Sequence, residues 1–471
     1  MIRFPHEIDL ISESSSILFL TSNSSIMKNG TTQIVLIGGG YASVWAYRAI
    51  VNELLIEMIA GKVQIRIICP DDFHFFHGWT AESLMGIVGD HNRMSPLSEV
   101  FKNAEIIKGR VVHINTRCRN VRVDLNNGTR SIVPYDQILL GMGSADSDSI
   151  VGLSEYAYQL KSQNAYDQTK SRINNLIRQA AESDCQTARK LLRFVIAGCG
   201  FTGVEVAANL AEFIHALKKQ YPSLCNIRPS IYLINSKEEL LPGLGRNFRR
   251  IRQYADKTLL QYGIKVLNQL KINRISDKGA YLSDGSFIES EMIISTIGQT
   301  RLVLDGTENM ERDSEKRIIT NSFLQVNHHR GIWGAGDSVQ VMHPGTMSPC
   351  PSNALWAIKQ GEHAGKNIAR AVLNQSLKPF TYKGLGQCAS LGIGKGIGEL
   401  HGIQFTGWLA WIIRWFFFQY FMPSKKVMWR EISDWFYLFI SGKRKYVNIP
   451  ENEIGIISKI SINLLKPLYE N

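Results

Sequence analysis

The sequence predicts an α/β protein in which two parallel-sheet modules, the second inserted into the first, precede a C-terminal membrane-associating region. Three observations predict this. An apolar strand runs into a glycine turn and a helix near residue 37, the same order recurs near residue 197, and the most aromatic stretch of the chain lies past residue 407.

Length and composition set the bounds. A chain of 471 residues holds about three domains. Its composition, 44% hydrophobic and 20% charged, suits a folded enzyme rather than a disordered or polytopic membrane chain. Fifty-three Lys and Arg against 41 Asp and Glu leave a net charge of +12, which favours anionic partners. No nucleic-acid module is recognisable, so nucleic acid is not an expected partner. The seven cysteines contain no Cys-x-x-Cys pair and no ligand spacing, so no metal site is expected and the setting reads as a reducing cytoplasm. Residues 1–30, rich in Ser, Asn and Thr, read as a disordered leader. Its apolar island at Ile17–Leu20 is too short for a signal-peptide core, and Met27 is a candidate start.

The first module opens with the β-branched run Gln33–Ile37, followed by Gly38, Gly39 and Gly40, a helix from Tyr41 and Ala42 towards Met58, and a second strand at Val63–Cys69. Strand, tight turn, helix, strand is the order of a parallel doubly wound sheet. Leu139–Ser144, with Gly143, reads as a later buried strand ending at a glycine turn. The second module repeats the pattern: Phe194–Ala197, the turn Gly198–Gly203, a helix to about Leu217, and a strand at Ser230–Ile234. Ile293–Gly298 closes it, and Gly331–Asp337 returns the chain to the first. The predicted boundaries are residues 31–150 with 311–375 for the first domain, 151–310 for the second and 376–471 for the C-terminal region.

The turns carry the chemistry. In a Gly-x-Gly-x-x-Gly turn the first glycine permits the tight bend, the second admits a pyrophosphate, and the third lets the helix pack on the strand, whose partner helix then points its N-terminus at the anion. Gly198, Gly200 and Gly203 match in full, whereas the first turn has Ser43 at the third position. Both modules thus read as Rossmann-like dinucleotide-binding domains, FAD on the first and a nicotinamide dinucleotide on the second. The candidate FAD-binding residues are Gly38, Gly39, Gly40, Tyr41, Ala42, Gly143, Gly336 and Asp337; those for NADH or NADPH are Gly198, Gly200, Phe201, Thr202, Gly203, Glu205, Asn235, Lys237 and Gly298. The acidic residue that ordinarily holds a ribose hydroxyl is replaced by Cys69 and by Asn235. Asp71 or Asp72 is a substitute in the first module. In the second, Asn235-Ser-Lys237 either favours a 2′-phosphate and hence NADPH, or is a solvated turn. Glu205 is either a carboxylate answering the helix dipole or, as we prefer, a catalytic polar group at the junction of flavin and nicotinamide.

Past residue 375, a Gly-rich segment leads into Trp408–Met422, about 15 residues around Arg414, short of the roughly 20 that span a bilayer. A second aromatic segment, Val427–Ile440, lies between Lys425-Lys426 and Lys443-Arg444-Lys445. Aromatic rings beside cations suit helices lying in a membrane interface.

Taken in order, Ile37–Ala42, Gly198–Glu205, Trp333–Asp337, Gln360–His363 and Gly407–Trp411 with its aromatic tail resemble the type II NADH dehydrogenases, single-subunit NADH:quinone oxidoreductases of the two-dinucleotide-binding flavoprotein superfamily. The resemblance runs from about Gln33 to about Arg444. It implies that FAD takes hydride from NAD(P)H and passes electrons to a quinone reached through the C-terminal helices. It also implies a peripheral position on the cytoplasmic, inner face of the cell membrane. In the family's quinone region two Gln positions are held here by Leu355 and Lys359. Lys359 is therefore a candidate catalytic residue, its cation stabilising a reduced acceptor or the flavin, unless it snorkels to solvent. A homodimer is the expected assembly. The competing readings are a sulfide:quinone-type or other reductase, for which Cys350 is the best-placed thiol, and a non-catalytic flavin redox sensor.

Overall fold

The computed structural model describes residues 30–447 except Gln220 and Arg246. The expected leader, apart from Gly30, and the end of the C-terminal region therefore lie outside the described residues.

Strand β1 (Thr32–Ile37) is buried along nearly its whole length, because a strand covered on both faces of a parallel sheet must be apolar throughout. It turns at Gly38 into α1 (Tyr41–Ile59) and pairs in parallel with β2 (Val63–Cys69), Ile34 opposite Ile65. Helix α2 (Thr80–Leu84) follows. The sheet grows through β3 (Glu105–Asn115) to an antiparallel edge of β4 (Asn120–Leu125) and β5 (Arg130–Pro134), and on its other side through β6 (Gln137–Leu140). The strand expected over 139–144 ends at Leu140, because Gly141 abuts the first turn. A Cβ on Gly38 would meet the Gly141 carbonyl at 2.6 Å, and one on Gly141 the Ser43 hydroxyl at 2.6 Å. Ser43 fills the third-glycine position by donating its hydroxyl to the Ile37 carbonyl at 3.3 Å.

The chain then leaves this sheet. Past α3 (Gln163–Ala181) it builds a second parallel sheet from β7 (Arg193–Ala197), β8 (Ser230–Asn235), β9 (Lys265–Asn268) and β10 (Met292–Ser295), in the order β9-β8-β7-β10. Helix α4 (Phe201–Leu217) covers it. Here the third glycine is obligatory, since a Cβ on Gly203 would lie 1.9 Å from the Gly198 carbonyl oxygen. Strand β11 (Ile332–Gly334) returns the chain to the first sheet beside β6. The order β11-β6-β1-β2-β3-β4-β5 makes the second sheet an insertion between neighbours of the first, the predicted class.

Helix α5 (Ala354–Val372) packs against α1 through small residues. A Cβ on Gly361 would fall 2.2 Å from the Ala42 carbonyl oxygen, and one on Gly365 2.3 Å from that of Ala46. Glycines four apart stack on one helix face, so the two backbones approach closely and α5 begins beside the first glycine turn. Three antiparallel strands, β12 (Gly386–Ser390), β13 (Gly396–Leu400) and β14 (Ile403–Gly407), occupy the Gly-rich segment, and the aromatic tail folds as α6 (Trp408–Tyr420) and α7 (Lys425–Ser441). None of the described helices is long and apolar enough to cross a membrane.

Candidate functional site

One cavity of about 680 Å³ joins the two modules, within the size range of small-molecule and cofactor sites. At one end it is lined by Gly38–Ala42, by Cys69 and Asp71 at the end of β2, and by Gly109 and Arg110 of β3. At the other it is lined by Thr202 and Glu205 of α4 and Gly298 after β10, and between the two by Asp337 after β11 and by Ala354 and Ala357 of α5.

The first end fits a dinucleotide. Gly40 caps α1 without a side-chain hydrogen bond, the first turn holds no acidic residue, and a Cβ at Gly40 would meet nothing within 4 Å. The first-turn N–H groups are therefore open to a pyrophosphate. Gly200 repeats the arrangement at α4, with no side-chain cap, no acidic first turn and open space. Of the proposed ribose substitutes, Asp71 lines the cavity, whereas Asp72 pairs with Lys108 at 2.7 Å.

Beside the first turn, Gly336 holds a left-handed φ of 79° and donates its N–H to Gln360 Oε1 at 2.8 Å, which fixes the loop bearing Asp337. Gly143 and Gly298 share that conformation, with φ of 69° and 72°, and both line the cavity. Asp337 accepts from the Ser144 hydroxyl at 2.8 Å and from Lys161 at 3.3 Å. His77, another lining residue, donates its backbone N–H to the Tyr41 hydroxyl at 2.9 Å.

Of the predicted residues, Gly198, Gly200, Phe201, Gly203, Asn235, Lys237 and Lys359 do not line the cavity. Lys359 is ion-paired to Glu362 at 3.1 Å, because the face of α5 that meets the cavity carries Ala354 and Ala357, and a residue two further on points elsewhere. Asn235 is buried within its own module: its amide donates to Asn268 at 2.8 Å and to the Glu239 carbonyl at 3.0 Å, and its oxygen accepts the Lys237 N–H at 3.1 Å. Of the turn that follows, Ser236 and Lys237 stay exposed. Cys350 is buried, and loss of water pushes its thiol up to about 11, which keeps it protonated and unreactive. All seven cysteines are free, and no group of acidic, His or Cys side chains among the described residues could hold a metal.

Glu205 lies in the second turn of α4, beyond reach of the dipole reading. It instead accepts the Ser390 N–H at 2.8 Å and pairs with Arg414 at 2.9 Å. Arg414, the lone cation inside α6, is 1% exposed; it also pairs with the buried Glu82 of α2 at 2.7 Å and lies over the Phe418 ring at 4.4 Å. Its place was legible in principle, because a cation amid aromatic residues needs a buried carboxylate. Glu82 and Lys161 carry no such signal.

Fold and cavity together define an oxidoreductase that binds two dinucleotides. Residues 32–361 match the pyridine nucleotide-disulphide oxidoreductases, and the chain belongs to that family. A type II NADH:quinone oxidoreductase of Staphylococcus haemolyticus is 24% identical over 404 residues, 81% of this chain and 92% of that one. One of Mycobacterium tuberculosis is 24% identical over 440 residues, 89% and 91% of the two chains. The solved structure of NDH2 from Plasmodium falciparum in complex with NADH superposes with a TM-score of 0.78 at 15% identity, over 89% of this chain and all of that one. These are the relatives whose resemblance the motifs carry.

The Glu205 environment has a measurable consequence. Loss of water pushes its carboxyl up to about 7; Arg414 pulls it back, and Glu82 adds to the rise. The folded protein thus binds this proton more tightly than the unfolded chain, so stability from this group falls as pH rises from about 4.5 to about 7. Glu205→Gln should flatten that fall, measured by urea unfolding at several pH values across the window; an unchanged slope counts against the assignment.

Proposed function

We propose that the protein is an FAD-dependent NAD(P)H:quinone oxidoreductase that works at a membrane surface. The observation that carries the reading is the single cavity reaching from the first glycine turn to Thr202, Glu205 and Gly298 of the second module. Bound FAD would supply the hydride and electron chemistry. The protein's own task is alignment, electrostatics and exclusion of water. Gly38–Ala42 and Asp71 hold the adenine dinucleotide half; Gly143, Gly336 and Asp337 position the half next to the second module. Gly198–Gly203 seat the nicotinamide donor, which is NADH or, with Ser236 and Lys237 exposed for a 2′-phosphate, NADPH. No step requires a nucleophile.

Anaerobic NAD(P)H should bleach the bound flavin spectrum, and a soluble short-chain quinone should restore it. Gly200→Val, which fills the open turn of the donor site, should retain flavin but lose reduction by NAD(P)H. A native protein bleached by NAD(P)H but reoxidised by no quinone would remove the acceptor from the reading; one that is not bleached at all would remove the enzyme and favour a redox sensor.

The membrane surface is the outward side of α6 and α7. Trp408, Phe416, Tyr420, Trp429, Phe436, Phe439 and Ile440 are all at least 61% exposed, and clustered exposed apolar side chains mark membrane or partner surfaces. Burying such side chains is worth roughly 1.5 to 3 kcal/mol each, enough for surface attachment even after discounts, and the cations at Arg430 and Lys443 suit anionic headgroups. The inner face of the cell membrane is the expected location, and a second copy of this chain is the rival occupant. The protein should float with anionic vesicles, and a Trp408→Ser, Phe416→Ser, Phe436→Ser variant should not. A native protein that stays off vesicles and runs as a dimer, with the triple variant monomeric, would assign the face to a homodimer.

A further inference from the structure

The lining of the cavity is unevenly charged. At its ring end, beside the second module, stand three carboxylates, Asp146, Glu205 and Asp337. Asp146 is occupied by the backbone N–H groups of Lys161 and Ser162, at 3.0 and 3.1 Å, and Glu205 by Arg414. Only two lining residues are lysine or arginine, Arg110 and Lys161. Arg110 sits on β3 opposite Asp124, at the end of the cavity that takes the adenine dinucleotide half. Lys161 is thus the one cation lining the ring end among the described residues. The ring must lie at this end, because hydride has to reach it from a donor seated on α4.

Lys161 is held there by design of the loop. Tyr158 bridges to Ile294 of β10, Gln159 and Leu160 line the same wall, and Thr169 of α3 donates to the Gln159 carbonyl at 2.7 Å. The Lys161 ammonium contacts the Ser144 hydroxyl and pairs with Asp337 at 3.3 Å, with its side chain 29% exposed. Two of its contacts are therefore with residues that also line the cavity, and its motif-free position explains why sequence patterns miss it.

We propose that Lys161 is a catalytic residue of the flavin site, whose ammonium balances the negative charge that accumulates on the ring. The inference rests on the flavin reading above and deepens it. A hydride brings two electrons and one proton, so the nicotinamide leaves positive and one negative charge is gained on the receiving side. That charge is released only when the acceptor takes two electrons together with two protons, one of them the hydride's own and the other from solvent. A fixed cation beside the ring favours the charged state without any reorganisation. Asp337, with Ser144 donating to the same carboxylate oxygen, keeps the ammonium in place.

Sulfite tests this without turnover. It adds to oxidised flavin where the protein stabilises negative charge on the ring, and bleaches the visible spectrum as it does so. In the purified holoprotein, Lys161→Met should raise the sulfite Kd at least tenfold at unchanged flavin content, while Lys161→Arg, which keeps the charge, should stay within about threefold of native. Expected alongside is a slower reduction by NADH with little change in its apparent binding. The proposal is overturned if native holoprotein takes up no sulfite, if Lys161→Met binds it as tightly as native, or if Lys161→Arg loses as much affinity as Lys161→Met. Loss of flavin from both Lys161→Met and Lys161→Gln would also overturn it, since Lys161 would then be holding the cofactor rather than polarising it. Failure of the flavin reading itself is distinguishable, because that protein would show no flavin spectrum at the start.

Discussion

The structure hinges on one buried cation. Arg414 projects from α6 into the interior and divides itself between Glu82 and Glu205. Bringing three charges out of water costs several kcal/mol for each ion, and only close pairing with further hydrogen bonds offsets it. The triad has both. Arg414 donates additionally to the Gly78 carbonyl at 3.0 Å, and Glu205 accepts the Ser390 amide. Because the three residues come from three separate parts of the chain, the requirement to pair them fixes where the C-terminal hairpin sits: inner side against the cavity, aromatic outer side left free.

Other contacts follow from that placement. Helix α7 is anchored by Asp434, fully buried, which accepts from the Gly89 N–H at 3.0 Å and from the Tyr446 hydroxyl at 2.8 Å. Trp79, Trp411 and Trp435 pack around the triad, with ring centroids 5.2 and 5.7 Å apart. The β12–β14 sheet is pressed onto α6, where a Cβ on Gly396 would meet the Trp411 nitrogen at 2.5 Å. Ile393 donates its N–H to Glu212 of α4 at 3.1 Å. A helix whose outer side is aromatic and exposed therefore reaches, on its inner side, a carboxylate that lines the dinucleotide cavity.

Much of this was legible in the residues and some was not. The strand–turn–helix units were legible because glycine has few substitutes where backbone must pass within 2 Å of a Cβ position, as at Gly203. Asp337 and Glu205 followed from those motifs. The orientation of α5 was not readable, because an amphipathic pattern leaves open which residue of one face meets the cavity. It is Gln360 that reaches the Gly336 loop, while Lys359 turns to Glu362. Nor was the fate of Asn235, whose three hydrogen bonds depend on β9 lying next to β8. In the sequence Arg414 reads only as an interruption in an apolar run; its partners come from about 200 and 330 residues away, and long-range pairing leaves no local pattern.

The most direct test is a double-mutant cycle on Arg414 and Glu205. Stability would be measured by urea unfolding of native protein, Arg414→Met, Glu205→Gln and the pair. If the ion pair joins the hairpin to the cavity, the two changes are strongly non-additive, with a coupling of about 1 kcal/mol or more and the Arg414→Met loss partly recovered in the double variant. Additivity to within about 0.5 kcal/mol would contradict the account, for it would mean that the hairpin is held in place without that pair.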